Sequence, residues 1–171
     1  MTRFERFAMT AGGLGLLRPA PGTWGSLPPV VLALAMVSAG ALRWQIDAAI
    51  VLLGLAFAIA CLRFGEAAEA EFGKKDPGKV VADEVAGQSL ALLGLPWLTS
   101  GTSDAFVRNA VIAASAFFAF RLLDIIKPPP ARGIQSRTGG AGILLDDVVA
   151  GLYACACAHL VARWLLPWVW P

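Results

Sequence analysis

Five apolar stretches free of Asp, Glu, Lys and Arg run through this chain: Leu27–Leu42, Ala48–Leu62, Val85–Ser103, Asn109–Phe120 and Val148–Ala162. Hydrocarbon about 30 Å thick is crossed by roughly 20 helical residues and tolerates few charges. The pattern therefore predicts five membrane helices, at about 27–43, 46–64, 84–101, 104–122 and 145–163, with the shorter ones borrowing flanking residues. The expected fold is all-α, a polytopic helical bundle forming one domain over residues 1–171. Composition agrees, since 57% of the residues are apolar and only 15% charged, against roughly 45–50% and about 25% in ordinary soluble domains. Fourteen Lys and Arg against twelve Asp and Glu exclude a strongly basic nucleic-acid binder.

Lys and Arg concentrate in the cytoplasmic loops of membrane proteins. With the N-terminus inside, segments 1–26, 63–83 and 121–144 hold eleven of the fourteen, leaving only Arg43, Arg108 and Arg163 outside. Trp44, Trp97, Trp164, Trp168 and Trp170 then fall at the outer interface, where amphipathic rings are favoured. Arg3, Glu5 and Arg6 precede no apolar core with a small-residue cleavage site, which predicts a retained N-terminus.

Ten of the twelve acids also lie on the predicted inner side, although acids contribute little to topology. Two adjacent pairs stand out, Asp83-Glu84 and Asp146-Asp147. Each opens an apolar segment and is followed four residues after Asp83 or Asp147 by a glycine, Gly87 or Gly151, that lets another backbone approach closely. Helix capping accounts for one acid per helix. Two adjacent carboxylates at the edge of hydrocarbon point instead to a bound cation or substrate. In Arg121-Leu122-Leu123-Asp124-Ile125-Ile126-Lys127-Pro128 the i, i+3 spacing puts Arg121 and Asp124 on one helix face, with Lys127 continuing it. That is either a local salt bridge or part of a site handling phosphate with a divalent metal. Pro128 predicts a helix end near Ile126.

Near the start, Gly12-Gly13-Leu14-Gly15 and Pro21-Gly22-Thr23-Trp24-Gly25-Ser26 offer open backbone N–H groups and two hydroxyls before a helix. The segment lacks the spacing and lysine of a Walker loop. It is equally well an irregular loop with a helix cap. Cys157 and Arg163 match a cysteine-phosphatase spacing, but the interval is apolar and helical, whereas that chemistry needs a phosphate-cradling loop and an activated thiolate. All three thiols, Cys61, Cys155 and Cys157, are expected as buried, reduced fillers. His159, the single histidine, is expected as a polar packing residue. Carboxylate-bound metal is the chemistry left on the acidic side.

The stretches Gly13 to Gly15, Pro19 to Leu27, Asp76 to Gln88, Phe120 to Pro128 and Gly139 to Ala154, in that order, resemble the phosphatidylglycerophosphatase A family. Where the family carries an aspartate and more bases after the proline that follows Lys127, this chain has Pro129 to Arg137. The resemblance implies a Mg²⁺-dependent phosphatase of the bacterial inner membrane, facing the cytoplasm and converting phosphatidylglycerophosphate to phosphatidylglycerol. On that reading Asp83, Glu84, Asp124, Asp146 and Asp147, with Glu66 as a weaker candidate, hold one or two Mg²⁺ ions. Arg121 and Lys127 neutralise phosphoryl charge, and Gly22, Thr23 and Ser26 bind the phosphate. Water is the expected nucleophile, with an aspartyl-phosphate on Asp124 or Asp146 as the variant. The competing readings are a phosphatase for another lipid phosphate, such as phosphatidate, and a small cation transporter, which would place its ionisable groups nearer mid-membrane.

Overall fold

The computed structural model describes residues 1–100, 102–134 and 139–169. Among them the regular structure is entirely helical: α1 (Arg3–Met9), a 3₁₀ turn (Leu14–Leu16), α2 (Pro21–Gly25), α3 (Leu27–Ser38), α4 (Arg43–Phe72), α5 (Ala82–Ala91), α6 (Ser103–Ile126), α7 (Ala131–Ile134) and α8 (Gly140–Leu160). A π turn (Val161–Leu165) carries α8 into α9 (Leu166–Val169).

Local chemistry sets these ends. Thr2 and Glu5 form a capping box at the start of α1, satisfying two otherwise unpaired N–H groups. Thr102 caps α6 by accepting from the Ala105 N–H at 3.2 Å. The helix stops at Ile126, with Lys127 left-handed at φ 49° before Pro128, as the proline predicts.

Three helices are long and apolar enough to cross a membrane: α4, α6 and α8 with its extension to Trp168. The expectation of five spanning helices is thus met at three of the five places. α3 has twelve residues and α5 ten, or about 18 and 15 Å at 1.5 Å per residue. Absence of charge does not make a helix. α5 ends at Ala91, Gly94 at φ +65° and Pro96 follow it, and residues 95–100 are not helical. This connection packs at the far end of the bundle, where the Trp97 carbonyl accepts from Arg43 Nε at 2.7 Å and Gly94 N–H donates to Asp47 at 3.0 Å. Trp97 is correspondingly buried in the core and is not at the interface. Trp44, Trp164 and Trp168 are exposed, while Trp170 lies outside the described residues.

The helix ends that matter lie together at the opposite end of the bundle: the C-termini of α4 and α6 and the N-termini of α5 and α8. α8 is central, packing against α4, α5 and α6. Its approach to α5 is set by two glycines. A Cβ on Gly87 would lie 2.7 Å from the Asp147 carbonyl, and one on Gly151 would strike the Gly87 carbonyl.

Candidate active site

That contact decides where the acids go. Asp83 and Asp147 each lie four residues before their glycine on helices running away from the same end, so bringing Gly87 against Gly151 also converges the carboxylates. Asp83, Glu84 and Asp147 each place an oxygen such that all three lie within 4.8 Å of one another. Asp83 and Asp147 are buried and Glu84 half-buried. Asp83 Oδ1, Glu84 Oε2 and Asp147 Oδ2 are sealed from solvent without a hydrogen-bond partner. Among the described residues no ion pair reaches these three carboxylates.

Capping explains only part of this arrangement. Asp83 and Glu84 occupy the first turn of α5. α8, however, begins at Gly140 and not near residue 145, so Asp146 and Asp147 stand inside the helix. Burial pushes the Asp83 carboxyl well above the usual carboxylate range, and Glu84 reinforces the shift. Burial, followed by the Asp147 charge, pushes Glu84 up to about 8. Both effects describe a pocket that disfavours negative charge unless a cation enters.

The other expected site residues separate into different jobs. Asp124 pairs with Arg121 at 3.0 Å and stands beside Asp147. Asp146 turns from the three clustered acids to Lys127, whose Nζ is 2.5 Å from its Oδ2. Burial works against the lysine's charge, but Asp146 outweighs it and holds the Lys127 pKa above its ordinary value. An open cavity of about 320 Å³ joins these groups, lined by Lys74, Asp76, Asp83, Glu84, Asp124, Lys127 and Asp147 among others. Lys74 and Asp76 were not among the sequence-predicted site residues, although Asp76 opens the quoted Asp76 to Gln88 stretch. Gln88 is fully buried with both amide atoms unpartnered, one turn beyond Glu84 on α5. The sequence offered no sign of its burial.

Gly22 lies against the site. A Cβ there would collide with Glu84 and come within 2.9 Å of the Arg121 guanidinium. Thr23 is half-buried on the same short helix. Ser26 is fully buried, and its hydroxyl donates to the Gly22 carbonyl at 2.8 Å, so it presents no donor to the cavity. Glu66 is exposed on α4, with its side chain against Gly139, outside the three-carboxylate group.

The remaining inner acids tie the loops together. Glu5 caps α1, Glu69 accepts from the N–H groups of Asp76 and Gly139, and Glu71 pairs with Arg6 and, at 3.1 Å, with the N-terminal amine. The inner excess of acids is therefore one site plus several anchors. Of the 131–138 stretch, residues 135–138 lie outside the described residues. At the far end, His159 Nδ1 accepts from Arg163 Nε at 3.2 Å and Nε2 faces the Leu93 carbonyl at 3.1 Å. Both ring nitrogens are used in packing. Of the thiols expected to be buried only Cys61 is; Cys155 is half-buried and Cys157 exposed, on the outward side of α8 and remote from the acidic cavity.

The comparisons fit this geometry. Phosphatidylglycerophosphatase A of Haemophilus influenzae is 32% identical over 155 residues, covering 90% of this chain and 86% of that protein. The Escherichia coli phosphatidylglycerophosphatase A is 31% identical over 153 residues, covering 88% and 79%. A Bacteroides thetaiotaomicron protein provisionally named phosphatidylinositol-3-phosphatase is 33% identical over 160 residues, 92% of each chain. No solved structure matches. A family model described as Phosphatidylglycerophosphatase A matches residues 7–162, and with these relatives it establishes that the chain is a phosphatase enzyme of the phosphatidylglycerophosphatase A family.

Proposed function

We propose that this enzyme is a Mg²⁺-dependent lipid phosphatase that converts phosphatidylglycerophosphate to phosphatidylglycerol and phosphate at the cytoplasmic face of the bacterial inner membrane. The observation that carries the reading is the buried group of Asp83, Glu84 and Asp147, with one unpartnered oxygen on each, beside two bases held in place by Asp124 and Asp146. Mg²⁺ is usually held by a few carboxylates together with phosphate oxygens and waters. Those three residues fit that donor set, with Asp124 beside Asp147 and paired to Arg121. When bound, the ion polarises a phosphoryl oxygen and lowers the pKa of coordinated water.

The chain's own contribution is positioning and charge. Lys127 lines the cavity and Arg121 stands beside Gly22 and the cavity-lining Asp124, where the two bases neutralise charge developing on the phosphoryl oxygens. Their pairing with Asp124 and Asp146 fixes long side chains in one geometry before substrate arrives. Gly22 leaves the room beside Glu84 and Arg121 that any side chain would fill, and Thr23 adjoins it. In the reaction a water oxygen bonds to phosphorus, the bond from phosphorus to the glycerol oxygen breaks, and that oxygen takes a proton. The engagement of Asp124 and Asp146 with bases supports water over an aspartyl nucleophile. A site at one end of the bundle lets acyl chains stay in lipid while the headgroup reaches the acids, and the carboxylates' absence from the middle of the spans disfavours transport.

Phosphate release from phosphatidylglycerophosphate, phosphatidate and phosphatidylinositol 3-phosphate, each measured with Mg²⁺ and with excess EDTA, tests this function. Metal-dependent release selective for phosphatidylglycerophosphate is expected. Selectivity for either other lipid overturns the substrate, and release undiminished by EDTA overturns the metal.

A further inference from the structure

Below the acidic cluster the seam between α4 and α5 does not close. Cys61 on α4 lies in the field of Asp83 on α5, and Ala60, Cys61, Ala82 and Ala86 pack together at this level. From Asp83 the same face of α5 continues through Ala86 and Leu90, at the three- and four-residue spacings of one helix face, and Leu93 follows in the turn after the helix. From Cys61 the facing side of α4 continues through Ala58 and Gly54. Between them is an open, wholly apolar cavity of about 260 Å³, with Val148, the residue after Asp147, contributing from α8. The one polar side chain in its wall, Ser89, donates its hydroxyl to the Val85 carbonyl at 2.7 Å. Leu55, at the mouth, is 55% exposed on the outer surface of a membrane-spanning helix.

We propose that this groove holds one acyl chain of the lipid whose phosphate occupies the acidic cluster; the proposal rests on the lipid-phosphatase reading above. Three observations select that occupant. The groove lies along a spanning helix, where the surrounding medium is hydrocarbon and a polar ligand has no partner. It starts one helical turn from Asp83, so a chain lying in it belongs to a lipid whose headgroup is already level with the cluster. It runs from Ala86 on α5 to Leu93 in the turn that follows, seven residues or about 10 Å, which lies within the roughly 15 Å of hydrocarbon available to an acyl chain of one leaflet.

The test uses the full-length enzyme in lipid nanodiscs, comparing a long-chain phosphatidylglycerophosphate with its dibutyryl counterpart. Ala58→Phe and Leu90→Trp fill the groove from opposite walls. Each is expected to raise KM for the long-chain substrate at least tenfold while leaving kcat on the dibutyryl substrate within twofold. A long-chain analogue carrying a photoreactive group mid-chain is expected to label segments 50–58 and 86–93, and unlabelled long-chain substrate is expected to suppress that labelling. Equal losses on both substrates in both variants, or labelling that substrate does not suppress, overturn the proposal, the latter showing ordinary bilayer lipid in the groove. Failure of the underlying reading shows separately, as wild-type enzyme that releases no phosphate from either substrate.

Discussion

Asp146 and Asp147 are neighbours in sequence, yet the structure predicts opposite consequences for their replacement. In Asp147→Asn the perturbation removes one member of three buried carboxylates whose oxygens lie within 4.8 Å. At an effective dielectric of about 20, two unit charges at that separation repel by about 3.5 kcal/mol. Protonation removes part of this at neutral pH, because Glu84 titrates at about 8. If only about 1 kcal/mol persists, its relief raises Tm by roughly 2–4 °C for a domain of this size. Asp146→Asn takes the counter-charge from Lys127 instead. Removing one partner of a buried pair costs about 3–5 kcal/mol, and because the Lys127 side chain is 20% exposed the low end applies, a fall of roughly 6–12 °C. The assay is thermal unfolding in detergent, with EDTA and then with Mg²⁺. Asp147→Asn should unfold at higher temperature than wild type in EDTA and lose the metal-induced rise, whereas Asp146→Asn should unfold lower and keep it. A lower metal-free Tm for Asp147→Asn together with a retained Mg²⁺ response would refute the assignment of Asp147 to the cation site.

Gly22→Ala is expected to reduce kcat/KM by more than tenfold with a small change in Tm, because its Cβ meets Glu84 and Arg121; wild-type kinetics would show the space is not used. Gln88→Leu removes two buried, unpartnered amide atoms, whose burial costs about 1–3 kcal/mol, so its Tm should hold or rise, and a fall would reveal a partner for the amide. Cys157→Ser should keep full activity, since the thiol is remote from the acidic cavity; an inactive but folded variant would return the thiolate to consideration. With the native cysteines replaced, Lys74→Cys should react with an impermeant maleimide only from the cytoplasmic side and Trp44→Cys only from the outside, and the reverse pattern would invert the topology.

Helical character, the apolar spans and the acids that stand out as candidates were legible in the chain because each depends on local chemistry. Uncharged runs report what hydrocarbon will accept, and Pro128 ends α6 wherever it is placed. Asp83, Glu84 and Asp147 were recognisable because adjacent carboxylates beside apolar segments need a reason. Helix length was less legible: Val85–Ser103 reads as one uncharged run, but Gly94 and Pro96 divide it, and hydropathy does not register a backbone break. The roles of individual acids were not legible at all. Asp146 and Asp147 look equivalent in sequence, but consecutive helical residues point about 100° apart, and only the seating of α8 on α5 through Gly87 and Gly151 decides which one joins the cluster and which one meets Lys127. The same distinction separates Glu66, Glu69 and Glu71, whose work depends on which loop packs against the end of α4. Sequence determined which groups the chain brings to the membrane surface, because solvation acts residue by residue; tertiary packing decided which of them meet, because convergence depends on distances between helices that no single segment contains.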